Sequence, residues 1–260
     1  MATIPAARES LGKSFRTDRW WVEPLRFGVV FGAFVVYATW ALLQGAQNEH
    51  HIAEPYLSPL YAPNFAGFPW PDWWPDWLRT PALLILWAPL GFRLTCYYYR
   101  RSYYRSYFLS PPACAVGRLN IPYHGERGLL LLQNLHRYFV PFAVALVVIN
   151  LHDTVLAFFF SNGFGIGLGT LILIVNVIGL AGYTFGCHSL RHMVGGGLDC
   201  FSCSVAARTR GRLWQVVTKF NENHGAWAWF SLVWIGFADF YVRLVSSGVI
   251  GDPRLILISA

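Results

Sequence analysis

Two short stretches carry most of the residues in this chain that can do chemistry. One is Gly91-Phe-Arg-Leu-Thr-Cys-Tyr-Tyr-Tyr-Arg-Arg-Ser-Tyr-Tyr-Arg, from Gly91 to Arg105. The other is Gly186-Cys-His-Ser-Leu-Arg-His, from Gly186 to His192. Each closes a long apolar run with thiol or imidazole groups flanked by arginine. His188 and His192 are four apart, so a helix presents both on one face, within reach of one metal. His136 and His224 open two further apolar runs. Cys96 and Cys187 join these four histidines at the same depth, so six donors gather at one face. Haem b would need only His136 or His224 facing His188 or His192. A Rieske-type [2Fe–2S] cluster would need two thiolates on one iron and two imidazoles on the other, which also uses Cys96 and Cys187. Zinc is a third option, but gives no reason for a place beside lipid.

The same region carries polar groups suited to a quinone head group. Arg93 lies one turn before Cys96 inside an apolar run, where a charge is costly and is usually paired or functional. Tyr97, Ser189 and Arg191 supply further donors, while most of the neighbouring tyrosines, Tyr98, Tyr99 and Tyr183 among them, read as an interfacial belt. Cys200-Phe-Ser-Cys203 lacks the second pair that a zinc site needs. With five cysteines, an odd number, a disulfide framework is not expected. Asp239 and Arg243, four apart, can pair on one helix face. Asp153, beside His152, joins them as a candidate for proton transfer or a second quinone site near the outer leaflet.

The elements that must position these groups are membrane spans. Only 13% of the 260 residues are charged and 55% are hydrophobic, against roughly 25% charged in a soluble domain. Five apolar runs are long enough for a hydrocarbon core of about 30 Å, near 24–44, 81–99, 129–160, 165–190 and 225–247. The expected fold is an all-α membrane protein: an N-terminal tail 1–22, a five-helix domain 23–250 and a C-terminal tail 251–260. A polar, basic start through Arg19 does not read as a cleavable signal peptide.

Lysine and arginine number four in the tail, six from Arg100 to Arg137 and five from Arg191 to Lys219, but one from Gly45 to Arg79. The N-terminus is thus expected in the cytoplasm and the C-terminus outside. The net charge of +7 is a topology signal confined to loops, and nucleic acid is excluded as a partner. The outer loop 45–79 holds Phe68-Pro-Trp-Pro-Asp-Trp-Trp-Pro-Asp-Trp, whose prolines exclude a regular helix and whose tryptophans suit the headgroup layer. The glycines at 163, 165, 167 and 169 lack the strand and spacing of a nucleotide loop; they are expected to join two spanning helices and let them approach closely.

Phe92-Arg-Leu-Thr-Cys-Tyr-Tyr-Tyr-Arg, Pro112-Ala-Cys-Ala-Val, Gln133-Asn-Leu-His-Arg-Tyr-Phe, Cys187-His-Ser-Leu-Arg-His and Asp239-Phe-Tyr-Val together resemble the cytochrome-b-like membrane anchor of succinate dehydrogenase in its actinobacterial form, over roughly residues 16–250. The resemblance implies an inner-membrane subunit of complex II. It would dock a flavoprotein and an iron–sulfur subunit at the cytoplasmic face and pass their electrons to a quinone, expected to be menaquinone. It also implies a membrane-embedded Rieske-type cluster, where other branches carry b haems, with Cys96, Cys187, His136, His188 and His192 as the candidate metal ligands; Cys200 and Cys203 are extra to that pattern. No flavin or dinucleotide motif is present, so succinate chemistry belongs to other subunits. The alternatives are a haem-b-type anchor of another quinone-linked dehydrogenase, or a non-redox transporter, for which the inverted repeats and broken midplane helices of transporters are not visible.

Overall fold

The computed structural model describes residues 10–44, 50–65, 67–118 and 131–259. The start of the N-terminal tail, residues 45–49 of the loop expected outside, and the first two residues expected in the third span lie outside these. Among the described residues the chain is mostly helical, with eight α-helices and two small sheets.

Four helices are long and apolar enough to cross a membrane: α1 (Val22–Gln44), α4 (Leu131–Leu156), α5 (Leu168–Phe185) and α8 (His224–Ser246). The second expected span differs. Helix α2 (Pro81–Thr95) starts on a proline at its first position and runs for 15 residues, about 22 Å at the helical rise. It stops because Cys96 adopts an extended backbone (φ −67°, ψ 136°), after which α3 (Tyr97–Ser106) continues as a tyrosine- and arginine-rich helix. The fourth expected span also ends early. Cys187 (φ −62°, ψ 133°) separates α5 from the short α6 (His188–Gly195).

The amphipathic α7 (Val205–Glu222) then leads into α8. In the bundle α4 packs between α2 and α5, and α8 between α5 and α1. Asn176 on α5 donates to Asn150 on α4 (3.3 Å). Asp239 and Arg243 of α8 form a buried ion pair at 2.8 Å. The Asp239 carboxylate also accepts from Tyr37 of α1 and Ser58 of the outer loop.

The fold is not wholly helical. In the outer loop, β1 (Ile52–Ala53) pairs with β2 (Tyr56–Leu57). The glycine stretch expected as a helix junction is a strand instead. Strand β4 (Gly163–Gly167) pairs with β3 (Phe159–Phe160) on one side and with β5 (Arg254–Ser259), from the C-terminal tail, on the other. A Cβ on Gly165 would lie 2.6 Å from the Ile256 carbonyl, so strand pairing this close requires glycine. The loop between α8 and β5 brings Asp252 to the start of α5, where its carboxylate accepts from the Gly169 N–H (2.8 Å) and from the hydroxyls of Tyr56 and Tyr241 (both 2.6 Å). Cys200 and Cys203, for which no disulfide was expected, are disulfide-bonded in the α6–α7 loop; two intervening residues in a tight bend are enough to bring the sulfurs together.

Candidate functional site

Both helix breaks place a cysteine in the same local frame. The Cys96 N–H donates to the Arg93 carbonyl (3.1 Å) and its own carbonyl accepts from Arg100 (2.9 Å). Likewise the Cys187 N–H donates to Thr184 (3.2 Å) and its carbonyl accepts from Arg191 (2.9 Å). The extended residue turns each thiol into the bundle, where both join a buried cluster with Phe92, Tyr99, Val140, Tyr183 and Leu232. Both cysteines are buried, Cys96 at 2% exposure and Cys187 fully.

Each thiol meets an imidazole. Cys187 Sγ lies 3.2 Å from His136 Nε2, and Cys96 Sγ lies 4.0 Å from His224 Nε2. His136 is stacked on Phe92 (ring centroids 4.4 Å) and His224 on Tyr183 (5.1 Å). Tyr98 packs edge-on to His224 at 5.5 Å. That packing depends on Gly225, where a Cβ would approach the Tyr98 ring to 2.8 Å.

Thr95 decides which nitrogen His136 presents. Its hydroxyl donates to the Gly91 carbonyl (2.7 Å) and lies 2.9 Å from His136 Nδ1. A hydroxyl has one proton to give, so Nδ1–H donates to Thr95 and the Nε2 lone pair faces Cys187. In metal sites generally, a hydrogen bond on one ring nitrogen is what orients a histidine whose other nitrogen faces the metal. His224 Nδ1 is buried with no hydrogen-bond partner among the described residues.

A cleft of about 360 Å³ opens onto these groups. Cys96, His136 and His224 line its inner end; Tyr97, Gln133, Arg137, His188, Ser189 and His192 surround the rest. That volume falls within the usual range for small-molecule clefts, roughly 300–1,000 Å³.

A model of the actinobacterial succinate dehydrogenase subunit SdhC matches residues 22–248. The chain belongs to this family. It is also similar to a chain of the Mycobacterium smegmatis Sdh1 complex in the apo form, with 42% identity and a TM-score of 0.82 over 97% of this chain and 98% of that one. A comparison with curated proteins found no match. The chain is therefore a membrane-anchor subunit of succinate dehydrogenase, integral and multi-pass, and its partners are the flavoprotein and iron–sulfur subunits.

In this SdhC-family chain the expected site residues separate into three groups. Cys96, Cys187 and His136 come together. Tyr97, His188, Ser189 and His192 line the cleft but do not close around the thiols; His188 and His192 are both exposed. Arg93 and Arg191 lie outside the cleft lining. Arg93 is buried in the bundle, hydrogen-bonded to the Tyr99 hydroxyl, Ser231 (3.1 Å) and the Ala228 carbonyl (3.3 Å), with its guanidinium 4.8 Å from the Tyr183 ring. Arg191 instead ties α6 to α7, donating to Thr218 (2.9 Å) and stacking on Trp214 (4.6 Å).

The imidazole beside Cys96 is His224, which the expected five-residue ligand set does not include. Its position opening α8 was a signal in the sequence, but the helical spacing of His188 and His192 pointed elsewhere. Thr95 was missed because a threonine in an apolar run carries no distinctive pattern.

Two thiols and two imidazoles are the donor complement of a mixed-ligand [2Fe–2S] cluster, so the residues present fit that group in kind and number. They stand as two thiol–imidazole pairs. Among the described residues no three such donors close on a single point.

Proposed function

We propose that this subunit carries electrons from the iron–sulfur partner to a membrane quinone through a mixed-ligand [2Fe–2S] cluster held by Cys96, Cys187, His136 and His224. The observation that supports this most directly is the pairing of each buried thiol with a buried imidazole at the ends of four different helices. Haem b would leave both thiols without a role. When bound, such a cluster is a one-electron carrier whose imidazoles raise its potential to about −150 mV or higher.

The protein's own contribution is orientation and exclusion of water. Thr95 holds His136 in one tautomer, and the Phe92 and Tyr183 rings fix the two imidazole planes. The apolar cluster around Cys96 and Cys187 keeps solvent from the sulfurs. The quinone head group occupies the adjoining cleft, where Tyr97, Ser189, Gln133 and Arg137 offer hydrogen-bonding groups. His188 and His192 at the exposed side can pass protons from solvent to the reduced head group. With α2 as the second crossing and the arginine-rich α3 at the cytoplasmic face, five spans put the N-terminus in the cytoplasm and the C-terminus outside. The low potential of menaquinone suits the cluster, and menaquinone is the proposed acceptor.

The test uses the purified complex. The native protein should show weak, broad visible absorption and a low-g EPR signal. Cys187→Ala should abolish that signal and quinone reduction while leaving succinate oxidation by a soluble dye intact. A strong Soret band lost on His136→Ala but unchanged in Cys187→Ala would establish haem and sink the proposal.

A further inference from the structure

A second cleft, of about 550 Å³, lies across Tyr98 from the redox cleft, between the starts of α1 and α8 and beneath α3. Its mouth holds three guanidiniums, Arg26, Arg101 and Arg105, and one carboxylate, Glu23. Glu23 is shared by Arg101 (3.1 Å) and Arg105 (3.8 Å). Arg26 has no carboxylate partner among the described residues; its guanidinium lies 5.0 Å from the Phe27 ring. A neighbouring cleft of about 440 Å³ shares all four of these residues and adds Arg16, Asp18 and Arg19. Asp18 is engaged by Arg16, which holds its carboxyl below the usual carboxylate pKa. The shared mouth therefore keeps an excess of positive charge.

Below the arginines the wall turns apolar. Phe27 and Trp229 stack at 4.5 Å, with Val30 and Val233 beyond them. This wall runs out onto the uncovered faces of α1 and α8, where Val29 is 61% and Val233 53% exposed.

We propose that this cleft binds an anionic phospholipid, its phosphate against Arg26, Arg101 and Arg105 and an acyl chain along Val30 and Val233. Cationic pockets between spanning helices at the cytoplasmic level are suited to anionic head groups, and arginine matches a phosphate with two parallel N–H donors. The order of the lining, charge at the mouth and hydrocarbon below, is that of an amphiphile standing in one leaflet. A protein docked from the aqueous side would meet the arginines but leave the apolar wall between α1 and α8 uncovered.

Native mass spectrometry of the purified complex tests this, with dioleoylphosphatidylglycerol, dioleoylphosphatidylcholine or inorganic phosphate added. The expected result is retention of phosphatidylglycerol at least tenfold better than phosphatidylcholine, without displacement by phosphate at equal concentration. Arg26→Gln should weaken that retention about fivefold, and Arg26→Gln with Arg105→Gln about 25-fold, from the usual contribution per basic residue. Arg26→Lys should restore most of it. Arg26 is exposed and makes no ion pair among the described residues, so its single variant still reads out if the double variant does not assemble. Equal retention of the two lipids, undiminished retention in Arg26→Gln, or full displacement by phosphate would each overturn the proposal. So would release of the iron–sulfur subunit by Arg26→Gln with lipid retention unchanged, which would make the cleft a protein interface.

Discussion

Thr95→Val is the sharpest test of how the site is organised. Valine keeps the shape of threonine and removes only the hydroxyl, so no cavity opens in α2. The lost contact to the Gly91 carbonyl matters little, because that carbonyl still has its helical N–H partner. The bond at 2.9 Å to His136 Nδ1 is different. His136 is 7% exposed, so its Nδ1–H would lose the threonine acceptor while buried, at a cost of about 1–3 kcal/mol. Loss of an outer-shell partner to a metal-ligating histidine typically lowers metal affinity or activity roughly 10–100-fold, which agrees with that range. The assay compares quinone reductase activity with succinate oxidation by a soluble dye, alongside iron content and the EPR signal of the complex. Quinone reduction and iron retention should fall together while dye reduction persists, and Thr95→Ser should restore both. Wild-type iron content and quinone reductase activity in Thr95→Val would show that the hydroxyl does not set the state of His136.

Three further outcomes are expected. His224→Ala should remove the EPR signal and quinone reduction, while His192→Ala, altering an exposed edge of the cleft, should keep the signal and lower quinone turnover less than tenfold; the reverse pattern would restore His192 to the ligand set. Arg243→Met strands the fully buried Asp239 carboxylate and should lower stability by about 3–5 kcal/mol, read by thermal unfolding in detergent; a double variant with Asp239→Leu should be more stable than Arg243→Met alone, and strict additivity would argue against coupling of the pair. A cysteine at position 72, in the exposed tryptophan-rich loop, should react with an impermeant thiol reagent in intact cells and not in sealed inverted vesicles; labelling from the cytoplasmic side would reverse the proposed orientation.

The sequence by itself determined which segments are apolar and that the reactive residues gather at one end of them. Both follow from solvation: a run of about 20 apolar residues is driven into lipid, and the ends of successive spans must share a face. Cys96, Cys187 and His136 could be grouped on that basis, and the buried Asp239–Arg243 pair could be read from a spacing of four. Tertiary structure decided the rest. Helical spacing joined His188 to His192, but the chain bends at Cys187, so α6 leaves the direction of α5 and carries both histidines to the rim of the cleft. The place beside Cys96 is taken by His224, because α8 packs against α5 and brings its first residue to the same depth. Arg93, costly in an apolar run, found its partners among tyrosine faces and hydroxyls from α3, α5 and α8, and no local pattern announces such partners. The glycines from 163 to 167 became a strand because residues 254–259, far along the chain, return to pair with them. Periodicity governs contacts within one helix; contacts between helices depend on how each is rotated and where it breaks, and those are settled only when the whole bundle packs.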